Sequence, residues 1–378
     1  MHRTKGLIMN AEKIYPAVGA LLFIAFFCLS MTSNYDNDLI PRREKAFTTY
    51  VNDSVTLDIY LEYNDESYPL KYYGHVITPV CEEGLCYVIT LDVYWDLLGN
   101  FLTYEEMAED PLTKFDHVKL TTSDHKKLNE ILSNKNSLLK NYGVEDLVDK
   151  SVQIKSDVVV DAVAGATYPS LKGAVVKGAV YSSYTLWHIV NGRVAKEIAE
   201  NTEALIDDSL LIHMLKSDNY NLQFYALNKI DVANPKFIPD LIGLISKGDS
   251  YVPFFAIDKL NDSTWNTPKY QERIINMLQN VDFEMQNEIL NRINKRELTT
   301  NAVKIVVSNL TNLDHRQQQK ALGIINNEKI SYAILLELSY LLNAKDSVLS
   351  HSIYKILNAK GRNYNDIDER LRKYELTK

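Results

Sequence analysis

Asp157-Val158-Val159-Val160-Asp161-Ala162-Val163-Ala164-Gly165-Ala166-Thr167-Tyr168-Pro169-Ser170 lies near the middle of a chain of 378 residues. A β-branched run breaks at Gly165, passes a threonine and meets a proline. That order predicts a strand, a tight loop at Gly165 and Ala166, and a helix starting near Pro169. A junction of this kind presents free backbone N–H groups and a positive dipole end to the loop, which suits a phosphate. No Gly-Lys-Ser/Thr follows a glycine at the spacing of a Walker-type loop.

The segment Asp161-Ala162-Val163-Ala164-Gly165-Ala166-Thr167 resembles the Asp-x-x-Ser/Thr-Gly-Ala-Thr signature of the FMN-binding domain family. That family includes the flavin subunits of the Rnf complex and of the sodium-pumping NADH:quinone reductase. The resemblance implies FMN held by a phosphoester to Thr167, installed outside the cytoplasm by a flavin transferase. Asp161, Gly165, Ala166 and Ser170 are the implied neighbours of the tether. Ala164 stands where the family carries Ser or Thr. The resemblance covers roughly residues 72–191.

Outward from the motif toward the start, residues 1–13 carry His2, Arg3, Lys5 and Lys13, and an apolar run follows from Ala17 to Met31. A basic flank before such a run reads as a signal peptide or membrane anchor over residues 1–33, which places the mature chain outside the cytoplasm, in the periplasm or held at the membrane. Phe27 before Cys28 argues against lipidation. A net charge of −8 with both signs interspersed argues against nucleic acid as a partner. The roughly 345 residues past the signal suffice for two domains.

Residues 34–66 are polar apart from an alternating run at Ser54 to Leu61, which predicts a short strand. Tyr72 to Val80 and Tyr87 to Asp96 are aromatic and β-branched, and they flank Cys81-Glu82-Glu83-Gly84-Leu85-Cys86, so they predict a hairpin. In an exported chain Cys81 and Cys86 at the two ends of that loop are expected to form a disulfide, contributing about 2 kcal/mol for so small a ring. A redox-active pair is the competing reading, and the chain has no Cys-x-x-Cys spacing. Three cysteines are too few to ligate an iron–sulfur cluster from this chain alone. A strand is expected near 97–104 and an amphipathic helix over 123–139, capped by Ser123. His75, His117 and His125 show no ligand spacing and read as surface or core-edge histidines.

After the motif, Ser170 to Asn191 reads as one helix with a small-residue side at Gly173, Ala174, Gly178, Ala179, Ser182 and Ser183. Tyr181, Tyr184, Trp187 and His188 follow at helical spacing and are expected in the core rather than against a ring. From Asp207 strand signals vanish. Helical pairs are expected at about 207–216 with 219–230, 235–247 with 250–261, 268–280 with 282–294, 299–311 with 313–326, and 329–343 with 346–359. Each has an apolar face that needs a neighbour, the logic of a HEAT-like α-solenoid, with a compact bundle as the alternative.

The expected fold is therefore an α+β FMN-binding-type domain over 34–200 followed by an all-α helical-repeat domain over 201–378. The expected function is an exported electron-transfer flavoprotein carrying covalent FMN, docked by its repeats to an envelope redox protein or membrane electron-transfer complex. An electron carrier is expected rather than an enzyme with its own substrate, although a flavin-dependent reductase fits the same motif. The alternative is an envelope binding or scaffold protein whose FMN-binding-like fold holds no flavin.

Overall fold

A computed structural model of the chain describes residues 42–51, 55–79, 88–114, 117–154, 164–249, 251–327 and 330–377. The expected signal segment at 1–33, Cys81, Cys86 and Asp161 lie outside the described residues.

An antiparallel meander of five strands comes first: β1 (Arg42–Tyr50), β2 (Thr56–Tyr63), β3 (Pro69–Thr78), β4 (Ile89–Trp95) and β5 (Phe101–Glu106), each paired with the next. The expected hairpin is β3 with β4, in register from Tyr72 opposite Trp95 to Thr78 opposite Ile89. β1 is a strand that the polar sequence does not announce. Its Arg43, Glu44, Lys45 and Thr48 pair in register with Glu62, Leu61, Tyr60 and Asp58 of β2. Tertiary pairing overrides weak intrinsic preference here.

Alternation sorts the side chains. Leu57, Ile59 and Leu61 of β2, Tyr72 and Val76 of β3, and Leu91, Val93 and Trp95 of β4 are all buried on one face. That face is covered by two consecutive helices, α2 (Val180–Asn191) and α3 (Arg193–Leu205). Trp95 Nε1 donates to the Val190 carbonyl at 3.0 Å, and Tyr72 Oη reaches Asn201 Oδ1 at 2.8 Å and Thr202 Oγ1 at 3.0 Å. Both polar handles are thus satisfied inside the core, as burial of such rings requires. The β4–β5 turn comes so close to α3 that a Cβ on Gly99 would lie 2.2 Å from the Ala195 carbonyl oxygen, and Gly99 has φ +72°, so glycine is needed on both counts.

Between β5 and α2 the chain forms α1 (Thr122–Ser133), a 3-10 turn at Leu138–Asn141, and the two-stranded ribbon of β6 (Val148–Ile154) with β7 (Ala164–Thr167). The cap of α1 is Thr121, not Ser123: Thr121 and Asp124 bond each other's backbone N–H in a capping box. The helix also ends at Ser133, well short of 139.

From Asp208 the described chain is helical, in α4 (Asp208–Lys216), α5 (Tyr220–Lys229), α6 (Ile238–Lys247), α7 (Val252–Lys259), α8 (Asp262–Asn266), α9 (Pro268–Ile275), α10 (Phe283–Ile293), α11 (Thr300–Asn309), α12 (His315–Asn327), α13 (Tyr332–Tyr340), α14 (Ser347–Lys360) and α15 (Asn365–Leu376). The expected pairs appear, the first member often prolonged by a 3-10 turn. α4, α6, α9, α11, α13 and α15 touch in succession, as do α5 with α7 and α10, α12 and α14 in turn, giving two layers. Asp207, Asn219, Asn261, Asp282, Thr299 and Asp346 each cap a helix start with a side-chain oxygen. Buried amides then fold back on the preceding turn: Gln223 Nε2 donates to the Ser217 carbonyl, Gln271 to Trp265 and Gln318 to Leu313.

The sheet and the helical array are joined by side chains. Tyr68, in the β2–β3 turn, stacks on His213 of α4 with ring centroids 4.7 Å apart and bonds Ser209 Oγ at 2.9 Å. Asn219 Nδ2 reaches Asp96 Oδ2 at 3.3 Å.

Candidate functional site

Gly165, Ala166 and Thr167 are strand residues. Ala164 pairs with Ile154, Gly165 with Gln153, Ala166 with Asp149 and Thr167 with Val148, with the ribbon irregular between Asp149 and Gln153. The expected tight loop at Gly165 is therefore corrected to paired, extended backbone. The helix expected from Pro169 is corrected as well. Pro169–Leu171 is a single 3-10 turn, and the chain then runs through Val175 and Val176, both buried, to Gly178 at φ +80° before α2 begins at Val180. A left-handed residue ends one turn and prevents a continuous helix. Ser183 completes the break, its Oγ accepting from Val176 N at 3.0 Å and donating to the Ala179 carbonyl at 2.8 Å.

Three residues of 3-10 turn carry no macrodipole of consequence, so the dipole argument for a phosphate at Thr167 fails in this fold. What stands at the site instead is a hydroxyl pair and a groove. Thr167 is half-buried at the end of β7, Tyr168 N donates to the Leu147 carbonyl at 3.4 Å, and Ser170 is exposed with Oγ 3.3 Å from Tyr142 Oη. Ser170 also lines a groove of about 390 Å³ whose other walls include Lys127, Asn134, Leu138, Gly173 and Ala174. The groove is open and shallow, unlike the enclosed clefts that bury most of a small ligand.

α2 anchors the end of α1 and the turn after it, which carry Asn134 of the groove's lining. Trp187 Nε1 donates to the Asn134 carbonyl at 2.9 Å, Asn191 Nδ2 to the Leu132 carbonyl at 2.9 Å, and His188 Nε2 to the Leu139 carbonyl at 3.1 Å. Burial pushes the His188 ring below its ordinary pKa of 6.5 and so favours the neutral imidazole, against the opposite pull of its Leu139 bond. Of the four residues expected in the core, Trp187 is buried, and Tyr181, Tyr184 and His188 are half-buried. Tyr184 packs on His188 at 4.3 Å between ring centroids.

A second polar constellation, on the outer face of the sheet, escaped the reading by sequence. Tyr60, Tyr73 and Tyr94 stand in a row across β2, β3 and β4, with centroids 6.1 and 5.4 Å apart. The Arg43 guanidinium lies 4.0 Å over Tyr73 and Lys71 Nζ 4.3 Å over Tyr94. Both cations pair with Glu62, whose side chain is fully buried, at 2.6 and 3.2 Å. Next to them Asp92 Oδ1 accepts from Tyr73 Oη at 3.0 Å and lies 2.6 Å from His75 Nδ1. Burial first, and the Asp92 carboxylate second, push the Tyr73 hydroxyl up to about 12. The alternation of polar and aromatic residues in Tyr60-Leu61-Glu62 and Lys71-Tyr72-Tyr73 was the available signal. Every charge in this row has a partner, so the row reads as a stabilised open sheet face.

His125 joins Tyr104 Oη at 2.7 Å and Glu106 at 3.6 Å, tying α1 to β5. Among the described residues no three His, Cys, Asp or Glu side chains are grouped to hold a metal ion, and no helix is long and apolar enough to cross a membrane. Comparison with protein-family models, curated proteins and solved structures finds no match to this chain.

Proposed function

We propose that the chain is an exported electron-transfer flavoprotein: FMN is tethered through the Thr167 hydroxyl, and the helical array, of HEAT-like type, docks it to an envelope redox protein or membrane electron-transfer complex. The observation that supports this reading is the placement of Thr167. It ends β7 half-buried, and three residues on, Ser170 opens onto a groove of about 390 Å³. The residues present suit a tethered group better than a diffusible one. A phosphate bound only by charge would need the helix end that this fold lacks, whereas a phosphoester needs only a reachable hydroxyl. The transferase would make that ester from an activated flavin phosphoanhydride: the bond from Thr167 Oγ to the flavin-side phosphorus forms as the anhydride P–O bond breaks, the other phosphate half departs, and the chain gains the mass of FMN less one water. Flavin, when bound, accepts and passes electrons, and the chain's own part is to hold it, shield it and place it near a partner. Ser170, Gly165 and Ala166 border the tether, and Asp161 is assigned to it by the motif alone.

The runner-up, an envelope binding or scaffold protein without flavin, is favoured by two features: Ala164 in the motif and the 3-10 turn in place of a helix behind Thr167. Co-expression with a flavin transferase and intact-mass measurement separates the two. Wild type is expected to gain FMN less water and Thr167→Ala to gain nothing. A wild type of unchanged mass supports the scaffold, and flavin still covalently attached to Thr167→Ala refutes the assignment of the residue.

A further inference from the structure

The five helices of the second layer run side by side in one direction. The Phe224 and Phe255 rings meet edge to face at 4.9 Å between α5 and α7. Arg292, near the end of α10, pairs with Asp258, near the end of α7. Gln317, in the first turn of α12, donates to the carbonyl of Phe283 at the start of α10 at 3.2 Å, and Gln319 of α12 donates to Ser352 Oγ of α14 at 3.2 Å. Helix starts therefore lie beside helix starts, and the outward residues of all five helices form one face.

That face is oppositely charged at its two ends. Residues 218–231 and 249–262, which hold α5 and α7, carry five aspartates against two lysines. Residues 313–327 and 345–362, which hold α12 and α14, carry two aspartates against six lysines and arginines, and neither helix contains an acidic residue. Between them residues 281–297, with α10, are near balance at four carboxylates to three cations. One end thus has a net charge of −3 and the other of +4, in a chain of −8. The acidic end also holds exposed rings: Tyr251 is 73 % exposed, and Tyr220 and Phe255 are each 50 % exposed. Three such rings on two neighbouring helices exceed the scattered apolar residues normal on a surface. Rings at one end and guanidinium and ammonium groups at the other are complementary a second time, through cation–π contact.

We propose that this face is the contact between two copies of the chain, related by a two-fold axis along the outer side of α10. Such an axis turns the face over and exchanges its ends, so α5 of one copy covers α14 of its partner, α7 covers α12, and α10 covers its own copy. Every contact occurs twice, as a closed isologous dimer requires. Starts stay level with starts, so Arg316 of one copy comes over Tyr251 of the other, and Lys320 comes to the level of Asp258. Val348, 50 % exposed in the first turn of α14, covers Tyr220 at the start of α5. A contact through the acidic ends alone would set aspartates against aspartates, whereas the exchanged ends set them against cations. Five helices about 9–10 Å apart and about 12–20 Å long offer about 700 Å² per copy, close to the roughly 800 Å² per partner of a standard interface. The dimer does not depend on flavin, and it leaves the outer face of the first layer open to a docked redox partner.

Native mass spectrometry and sedimentation velocity of the full chain, from micromolar concentration upward, test the contact in wild type, Tyr251→Lys, Arg316→Glu and the variant with both changes. Both side chains are exposed, and far-ultraviolet dichroism checks that the fold is kept. Wild type is expected to form dimers whose dissociation constant rises with salt. Each single variant should raise that constant about tenfold or more, because it sets like charge against like in both contacts. The variant with both changes, and an equimolar mixture of the two single variants, should recover most of the affinity, since Tyr251→Lys then faces Arg316→Glu. Wild type that stays monomeric overturns the proposal and leaves the face to another occupant. Single variants that dimerise like wild type, or a double variant and a mixture that both stay monomeric, overturn it as well. Species that keep growing with concentration overturn the closed two-fold pair in favour of an open chain of copies.

Discussion

Asp96 is the side chain through which the sheet grips its own turn and the first helical pair, and Asp96→Ala measures that grip. The residue is 3 % exposed. Its Oδ1 accepts from Leu98 N and Asn100 N, both at 2.8 Å, and its Oδ2 from Asn100 Nδ2 at 2.7 Å and Asn219 Nδ2 at 3.3 Å. Truncation to alanine removes all four acceptor contacts and leaves two backbone N–H groups inside a closed turn. At about 1–3 kcal/mol for each orphaned group, the expected loss is about 2–6 kcal/mol. The turn cannot relax away to hydrate them, because Gly99 lies against α3 where even a Cβ would meet the Ala195 carbonyl at 2.2 Å. Asn219 keeps its own role, since its Oδ1 accepts from Asn221 N at 2.9 Å and caps α5. Asn219→Ala therefore costs a cap of about 1 kcal/mol plus one long bond to Asp96, far less than Asp96→Ala. Urea unfolding of the full chain, followed by far-ultraviolet dichroism, gives both values. An Asp96→Ala loss below about 0.5 kcal/mol, the scale of ordinary surface substitutions, would refute the reasoning.

Cys81 and Cys86 are expected to be joined: each stands three residues inward from Thr78 and Ile89, the last described pair of the β3–β4 register, and two reactive thiols in the unfolded, unreduced protein would refute the bridge. Stability should fall as the pH drops below about 6.5. Burial depresses His188 from that ordinary value, so the unfolded chain takes up a proton first and the neutral-imidazole contribution, full above 6.5, is lost toward the folded pKa. His213 is depressed by burial in the same sense, so His188→Gln should flatten the acid limb in part, and an unchanged limb would rule His188 out. Protease added to intact spheroplasts should digest the chain if the basic flank and apolar run over residues 1–31 export it, and full protection would contradict export.

The helical half was legible because its signals are local. An Asp, Asn or Thr before many of the apolar runs fixes a helix start, as at Asp207, Asn219, Asp282 and Thr299, and periods of three and four fix the buried side. Leu210, Leu211, Met214 and Leu215 of α4 are buried as that spacing requires. The buried glutamines were not legible, since Gln223 and Gln271 look like surface residues until the preceding turn folds over them. The hairpin of β3 and β4 was legible from its aromatic runs, while β1 was invisible because its ladder is made with β2 and its side chains are mostly outside. At the candidate site the residues were legible and the conformation was not. Ala and Val at 174–176 and 179–180 look helical, yet Gly173 and Gly178 bracket a turn that buries Val175 and Val176 against the core. Local propensity lost there to a tertiary contact that no spacing reveals.

The shape of the proposed site bears on why covalency would be used. A shallow groove of about 390 Å³ on the surface cannot bury most of a flavin, and partial burial gives weak binding. A diffusible FMN at micromolar concentration would leave such a groove mostly empty. A tether three residues away changes the arithmetic, because short flexible linkers supply effective concentrations of the order of millimolar. A tethered ring whose contact with the surface were worth only about −4 kcal/mol, equivalent to a millimolar dissociation constant, would then be seated about half the time. On this balance a covalent flavin would need neither a deep groove nor a helix dipole to retain its phosphate. The same balance makes the seat sensitive to small changes. Losing about 1.4 kcal/mol of ring contact cuts the seating constant tenfold and drops the seated fraction from about one half to about one tenth. Under the proposed function, a tethered ring in that regime would spend part of its time on the protein surface and part outside it, where a partner docked on the helical array would reach it.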